Sequence, residues 1–399
     1  MNAEGVVIGD PRHDGDVEAF ARVDGESFGS SFEVSLAWTR RIAEHATVRV
    51  ARSGDDIVGG YALLPVGQFY GGRSVPARAV VAVCVHPAQR RKGIAGILMR
   101  DLVDVAGGSG AALAPLQAAT TRLYRRWGWE LGDRGLTQTV RTSALAQLRG
   151  SGDVVQSPDD RSLEALRRAY LPAWDGPLDR PDWWLAVEWK LADDANEQRR
   201  IYGWSEDGRL TGYVRYRARH ESTPWLAIAV EELMATTADA LRGLLGFLGG
   251  LEAQAPEITF RDSAIRPRSE LLYLVPDADK SMKAQSRICW MQRLVAPGLA
   301  MRMRGWPQYA AAQLHLEVSD PARPDAERFV LEVSDGEGEL SPGGDGRIRC
   351  GVGVLSSWYS STMRAREAVR LGWLEGPTAD VEAMDSLLGD RDAWLPDFF

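Results

Sequence analysis

Val81-Ala-Val-Cys-Val-His-Pro-Ala-Gln-Arg-Arg-Lys-Gly-Ile-Ala95 decides how the chain is read. The nearly unbroken apolar run Ala79–Val85 predicts a strand buried on both faces. Pro87 and the basic stretch Arg90-Arg91-Lys92 end it. Ile94, Ile97, Leu98, Leu102 and Val105 then recur at helical spacing, so a helix starts directly after Gly93. The first N–H groups of a helix have no partner within it and carry partial positive charge, which suits a phosphate or pyrophosphate. Gly93 permits close backbone approach, small Ala95 leaves room, and Arg90 and Arg91 add charge-assisted contacts. A strand, a proline, the pattern R-x-x-G-x-A and an amphipathic helix occur in the order a phosphate-cradling turn requires. A solvated basic loop requires no such order.

Outward from this turn, the spacing predicts a short strand at Val6–Ile8, a helix through Val17–Phe20 and a second helix over Val34–His45 capped by Ser30 or Ser31. Two strands follow, Val48–Arg52 and Ile57–Leu64, joined by the turn Ser53-Gly54-Asp55-Asp56. Beyond the central helix, Ala111–Ala119 reads as another buried strand, and Thr120 or Thr121 caps a short helix ended by Gly128. The polar stretch Arg149–Ser157 reads as a linker. The same grammar then returns, with helices at Ser162–Tyr170 and Asp182–Ala192, a hairpin of Ile201–Trp204 and Leu210–Arg217, a helix over Thr237–Leu248 and a strand at Ile258–Arg261. The last third alternates instead: Leu314, Leu316, Val318 and Phe329, Leu331, Val333 predict paired strands. Helical patterns at Ser356–Arg370 and Val381–Leu388 complete a small α+β module.

The chain has 399 residues, enough for two to three domains of ~150. A net charge of −8 argues against a broadly basic nucleic-acid binder. Three scattered cysteines, Cys84, Cys289 and Cys350, are too few for a disulfide framework or a zinc cluster, and each reads as a buried thiol. The N-terminus has no secretory pattern, and no apolar run reaches the ~18 residues of a membrane helix, so a soluble cytoplasmic protein is expected.

The turn at Arg90–Ala95 resembles the acetyl-CoA loop of the GNAT acetyltransferases, [Q/R]-x-x-G-x-[G/A]. The resemblance implies that backbone groups of Val83 and Val85 bind and polarise the acetyl carbonyl. It also implies that Arg90, Arg91, Lys92, Gly93, Ile94 and Ala95 take the pyrophosphate of acetyl-CoA, with no metal. In Thr121-Arg-Leu-Tyr-Arg-Arg-Trp-Gly-Trp-Glu130 it makes Tyr124 the general acid for the thiolate; a phenol of pKa ~10 is protonated at neutral pH. Over the whole chain the pattern is similar to the Eis-type (enhanced intracellular survival) N-acetyltransferases. The implied fold is α/β (α+β): two tandem GNAT folds, the first active and the second degenerate, then a sterol-carrier-protein-2-like domain. The implied domains are 1–145 with about 288–304, 146–287 and 305–399. Arg209-Leu-Thr-Gly212 echoes the loop but lies inside a strand pattern and has Val214 in place of the small residue, so the second fold is expected to be cofactor-free.

By the same resemblance, the chain end Trp394-Leu-Pro-Asp-Phe-Phe399 enters the active site, where the α-carboxylate of Phe399 accepts the proton of the acceptor ammonium. The family binds polycationic amines with aromatic and acidic residues after the first helix and a penultimate acid. Here Phe28, Phe32, Trp38 and Phe398 keep the aromatic character. Gly29-Ser30-Ser31 replaces the acid between the first two, and Phe398 replaces the penultimate one. Asp24, Glu26, Glu33 and Asp397 are the nearby acids. The expectation is therefore acetyl transfer to an amine of a small molecule or peptide by direct attack in a ternary complex, with an aminoglycoside no better supported than a less charged amine. The family implies a homo-oligomer, a hexamer. The alternative is a lipid or apolar-ligand binder with a vestigial acetyltransferase half.

Overall fold

The computed structural model describes residues 5–133, 135–184, 197–220, 226–261, 264–265, 270–287 and 290–399. Cys289 and most of the helix expected at Asp182–Ala192 lie outside the described residues. The first unit runs β1 (Val6–Gly9), α1 (Asp14–Phe28), α2 (Phe32–Ala43), β2 (Thr47–Ser53), β3 (Asp56–Tyr70), β4 (Arg73–Val85), α3 (Ile94–Gly108) and α4 (Thr121–Arg125). Gly29, at φ +77°, ends α1, and the Ser31 hydroxyl caps α2 by accepting from Val34 N–H at 3.3 Å. The strands β1-β2-β3-β4 form an antiparallel meander. Helix α3 buries Ile94, Leu98, Met99, Leu102, Val103 and Ala106; Ile97 and Val105, expected on that face, stay half-buried. This face packs beneath Val58, Tyr61, Leu63 and Val80 of the sheet.

The strand expected at Ala111–Ala119 is not a regular one. Leu113 and Leu116 make isolated parallel bridges to Ala77 and Val80, and on their other side antiparallel bridges to Leu294 and Met291. The central strand is thus wedged between β4 and a segment nearly 180 residues later. That segment includes β14 (Met291–Gln292), which pairs with β5 (Glu130–Leu131).

The expected boundary at residue 145 is met earlier. Strand β6 (Gly135–Arg141) leaves the first unit and enters a second, seven-stranded sheet between β12 (Glu257–Phe260) and β13 (Met282–Arg287). The rest of that sheet is β11 (Leu226–Ala235), β10 (Arg209–His220), β9 (Glu197–Glu206) and β7 (Asp153–Gln156). Its core packs under α5 (Thr142–Leu145) and the helix Ala238–Gly249; α6 (Asp160–Tyr170) lies against β10 and β11. The first two units therefore share strands rather than meeting at a linker.

The third unit is a five-stranded sheet in the order β17 (Glu337–Pro342), β16 (Glu327–Ser334), β15 (Ala312–Ser319), β18 (Ile348–Gly351) and β19 (Leu374–Glu375), with β15 and β16 paired antiparallel, as alternation predicts. Leu314, Leu316, Val318, Leu331 and Val333 are buried in one cluster with Leu355, Trp358 and Leu387 of its helices. The helix expected over Ser356–Arg370 is two, Val352–Tyr359 and Ala365–Arg370, broken around Ser361 at φ +63°. Among the described residues, no helix is long and apolar enough to cross a membrane.

Candidate active site

Strand β4 carries a bulge. Gly60 pairs with Cys84 and Ala62 with Val81, so Ala82 and Val83 together face Tyr61 of β3. Ala82 sits at φ +53°, a region that L-residues with side chains occupy only under compensation. A bulge leaves its extra residue outside the hydrogen-bond ladder and bends the strand. On the opposite edge, pairing to the central segment ends at Val80–Leu116. Among the described residues, no backbone hydrogen bond joins Ala82–Val85 to Gln117–Thr120. The sheet is therefore open at this point, with half-buried Val83 and Val85 on one lip and Gln117 on the other.

The loop below the opening is tightly built. His86 N–H bonds Val58 O at 2.9 Å, Arg90 Nε donates to Val85 O at 3.3 Å, and Lys92 Nζ donates to Gln89 Oε1 at 2.6 Å. Of the three cations, Arg91 makes no hydrogen bond or ion pair among the described residues, and it holds φ +65°. Gly93 caps α3 at φ +86° with no side-chain cap, so the first N–H groups of a fifteen-residue helix face outward. At this φ any residue with a Cβ would be strained. These features fit a pyrophosphate: unpartnered donors, a helix dipole and adjacent exposed cations. Among the described residues, no group of three or more His, Cys, Asp or Glu side chains could hold a metal ion.

Tyr124 lies on α4 just after the opening and is 6% exposed. Its ring meets Trp129 edge-on at 6.2 Å. Burial, with a smaller contribution from Cys84, pushes its phenol up to about 12. Gly128, at φ +82°, turns the chain back: a Cβ there would collide with the Arg293 guanidinium, which also holds Trp127 O. Cys84 is itself buried, and burial lifts its thiol well above the ordinary value. It is an inert core thiol, as expected, and so is Cys350.

The chain end reaches this opening. Gln117 holds it with a two-point fork: Nε2 donates to Asp397 O at 3.0 Å, and Oε1 accepts from Phe399 N–H at 3.2 Å. The ring of Phe399 is half-buried and meets Trp184 at 6.1 Å. Trp184 in turn lies 5.7 Å from Trp183, which stacks flat on His45 at 4.5 Å. Trp38 is half-buried against the apolar core of the first and third units. The Trp184 indole N–H is buried and has no hydrogen-bond partner among the described residues. Gln117, Trp183 and Trp184 were not expected at the site; adjacency is the only sequence signal of the two tryptophans, and Gln117 carries none.

The expected acceptor residues differ in exposure. Phe398 is 77% exposed and Phe28 52% exposed. Phe32 is half-buried beneath the Arg22 guanidinium, 4.2 Å from its ring. Among the nearby acids, Asp397 is turned away and buried: its carboxylate accepts from Leu178 N–H at 2.9 Å and pairs with Arg180. Glu26 lies 3.3 Å from His86 Nε2, and Glu33 is exposed in the first turn of α2. Asp24 is 7% exposed with no ion-pair partner among the described residues, and burial raises its carboxyl pKa against the pull of the Ser35 hydroxyl.

Comparison with known proteins agrees with this geometry. Acetyltransferase (GNAT) domains match residues 10–132 and 176–295, and a sterol carrier protein domain matches 298–396. An uncharacterized N-acetyltransferase of Streptomyces avermitilis is 29% identical over 282 residues, 67% of each chain. The N-acetyltransferase Eis of Mycobacterium tuberculosis is 26% identical over 358 residues, 84% of each chain. Among solved structures, a GCN5-related N-acetyltransferase from Anabaena variabilis superposes with a TM-score of 0.90 at 23% identity, covering 99% of this chain and 100% of that one. Eis1 from Mycobacterium abscessus does so with a TM-score of 0.80 at 22% identity, with the same coverage. Bulged strand, loop, helix start and domain order lead to one assignment: the chain belongs to the Eis-type GNAT N-acetyltransferases, with two GNAT domains followed by a sterol-carrier-like domain.

Proposed function

We propose that this enzyme transfers the acetyl group of acetyl-CoA to a primary amine by direct attack. The single observation that carries the reading is convergence at one sheet opening: the bulge at Ala82–Val83, the uncapped start of α3, the Tyr124 phenol and the chain terminus held by Gln117. The pyrophosphate of acetyl-CoA would rest on the Gly93–Ala95 N–H groups beside Arg91. Backbone donors of Val83 and Val85 would stabilise the oxyanion as the amine adds to the thioester carbonyl. The Phe399 carboxylate would take the proton that the ammonium must lose, and Tyr124 would protonate the departing thiolate. A phenol raised to about 12 stays protonated through the neutral range, as an acid in this role requires.

The surroundings favour an acceptor with an aromatic or apolar body and one amine. Trp183, Trp184 and the Phe399 ring offer apolar area at the chain terminus, while Asp397 is committed to Arg180 and Leu178. Asp24 is the buried acid left for one ammonium. The third domain fills its own apolar sheet face, which supports a scaffolding role over lipid binding.

The test is CoA-thiol release on mixing enzyme and acetyl-CoA with 2-phenylethylamine, tryptamine, cadaverine and kanamycin. Turnover is expected with the aryl amines first. Tight acetyl-CoA binding without thiol release for any amine overturns the reading.

A further inference from the structure

The second unit repeats the features of the first with altered contents. Strand β11 also carries a bulge: Arg215 pairs with Glu232 and Tyr216 with Val230, leaving Glu231 as the extra residue. Charged side chains crowd this second bulge. Glu231 faces Arg199 at 3.1 Å, Arg215 at 3.6 Å, and Arg217. Glu232, 1% exposed, pairs with Arg167, accepts from Tyr213 Oη at 2.8 Å and lies 3.3 Å from Arg180 Nη2. Arg180 holds Asp397, two residues before the chain end, through its Nε.

We infer that Arg180 is a positioning residue for the reaction: it ties the terminal carboxylate of Phe399 to the second domain's bulge through Glu232–Arg180–Asp397. This rests on the reading of Phe399 as the base. Chain termini fray unless tied down. A fully extended chain advances at most ~3.3–3.6 Å per residue, so a fixed Asp397 confines Phe399 to a small volume, and the Gln117 fork sets its direction. Packing alone does not explain the ion network. Buried ion pairs add little stability over apolar residues of similar size, but a guanidinium fork sets distance and angle. The second domain's bulge thereby serves the first domain's chemistry without binding a thioester.

Two measurements on the full-length enzyme test this, with Arg180→Met, Arg180→Lys and Asp397→Asn. The first is release of phenylalanine from the folded protein by carboxypeptidase Y, which needs no substrate. The second is kcat, and KM for acetyl-CoA, with the fastest amine of the panel above. Arg180→Met and Asp397→Asn are expected to speed phenylalanine release and to lower kcat roughly 10- to 100-fold, the scale of a displaced catalytic group, at unchanged KM for acetyl-CoA. Arg180→Lys is expected to recover part of both. In an enzyme lacking Phe399, Arg180→Met is expected to add no further loss of kcat. Should Arg180→Met not fold, Asp397→Asn carries both measurements. Wild-type kcat in either variant overturns the proposal, as does wild-type phenylalanine release. The enzyme lacking Phe399 separates the two readings: if it keeps full kcat, the carboxylate role falls as well; if it is slow beside a full-rate Arg180→Met, only the positioning role falls.

Discussion

Two helices in this chain begin at equivalent places in two copies of one fold, and they begin differently. Helix α3 starts at Gly93, at φ +86°, with no side-chain cap and with Arg90, Arg91 and Lys92 just before it. The helix Ala238–Gly249 starts after Thr237, whose hydroxyl accepts from Ala240 N–H at 3.0 Å and donates to Glu206 at 2.5 Å. Its first turn holds Asp239, which accepts from Ser151 N–H at 2.8 Å and Trp204 Nε1 at 3.0 Å. One helix start keeps its donors and its positive field for a ligand. The other satisfies a donor internally and places a carboxylate where a phosphate would have to come. A fold that repeats does not repeat its chemistry, because the chemistry depends on a few unsatisfied backbone groups.

The largest effect should come from the acid attached to the first site. Tyr124→Phe is expected to lower kcat by roughly 10²- to 10⁴-fold while acetyl-CoA affinity stays near wild type, read by steady-state kinetics and calorimetry. A full-rate variant would break the assignment of the opening as the reaction site. Next, Gly93→Val puts a β-branched residue at φ +86°. A left-handed conformation costs L-residues about 1–2 kcal/mol, so acetyl-CoA affinity should fall about tenfold or more. Calorimetry should find one acetyl-CoA site per chain; a second site would erase the contrast between the two helix starts.

In the second unit, Thr237→Ala removes a cap and should lower stability by about 1 kcal/mol, measured by urea unfolding, with acetyl-CoA affinity unchanged. The smallest effect concerns pH. With its phenol raised to about 12, Tyr124 stays protonated up to pH 10, so it should add no alkaline limb to kcat below that pH. An alkaline limb near 9 that disappears in Tyr124→Phe would place the phenol outside the buried setting described here.

Much of the first site was legible residue by residue. Its loop is continuous in sequence, and glycine, proline and arginine act there through local backbone rules. Strand β4, the turn at Ser53–Asp56, the start of α3 and the short helix bearing Tyr124 all lie where the pattern predicts. The central segment at Ala111–Ala119 was misread as a regular strand because its neighbour, Met291–Leu294, comes from far along the chain. That Gly135–Arg141 joins the second sheet was not legible for a related reason: it has the same alternation whichever sheet it joins. Among the expected acceptor residues, Phe28 and Phe398 are exposed while Phe32 is half-buried, a difference that aromatic character alone does not state.

Sequence by itself determined the strand, basic turn and helix start from Val81 to Ala95, the short helix that carries Tyr124, the order of three units and the replacement of an acid by Gly29-Ser30-Ser31 after the first helix. These are local properties, set by side-chain type and spacing over a dozen residues. Tertiary structure alone decided that Gln117 grips the chain end, that Asp397 is buried on Arg180, that Trp183 and Trp184 flank Phe399, and that the second bulge is crowded with arginines. Each of these contacts joins residues from 14 to more than 280 positions apart or depends on which way a side chain turns. Local periodicity carries neither kind of information, and only the closing of one unit against another supplies it.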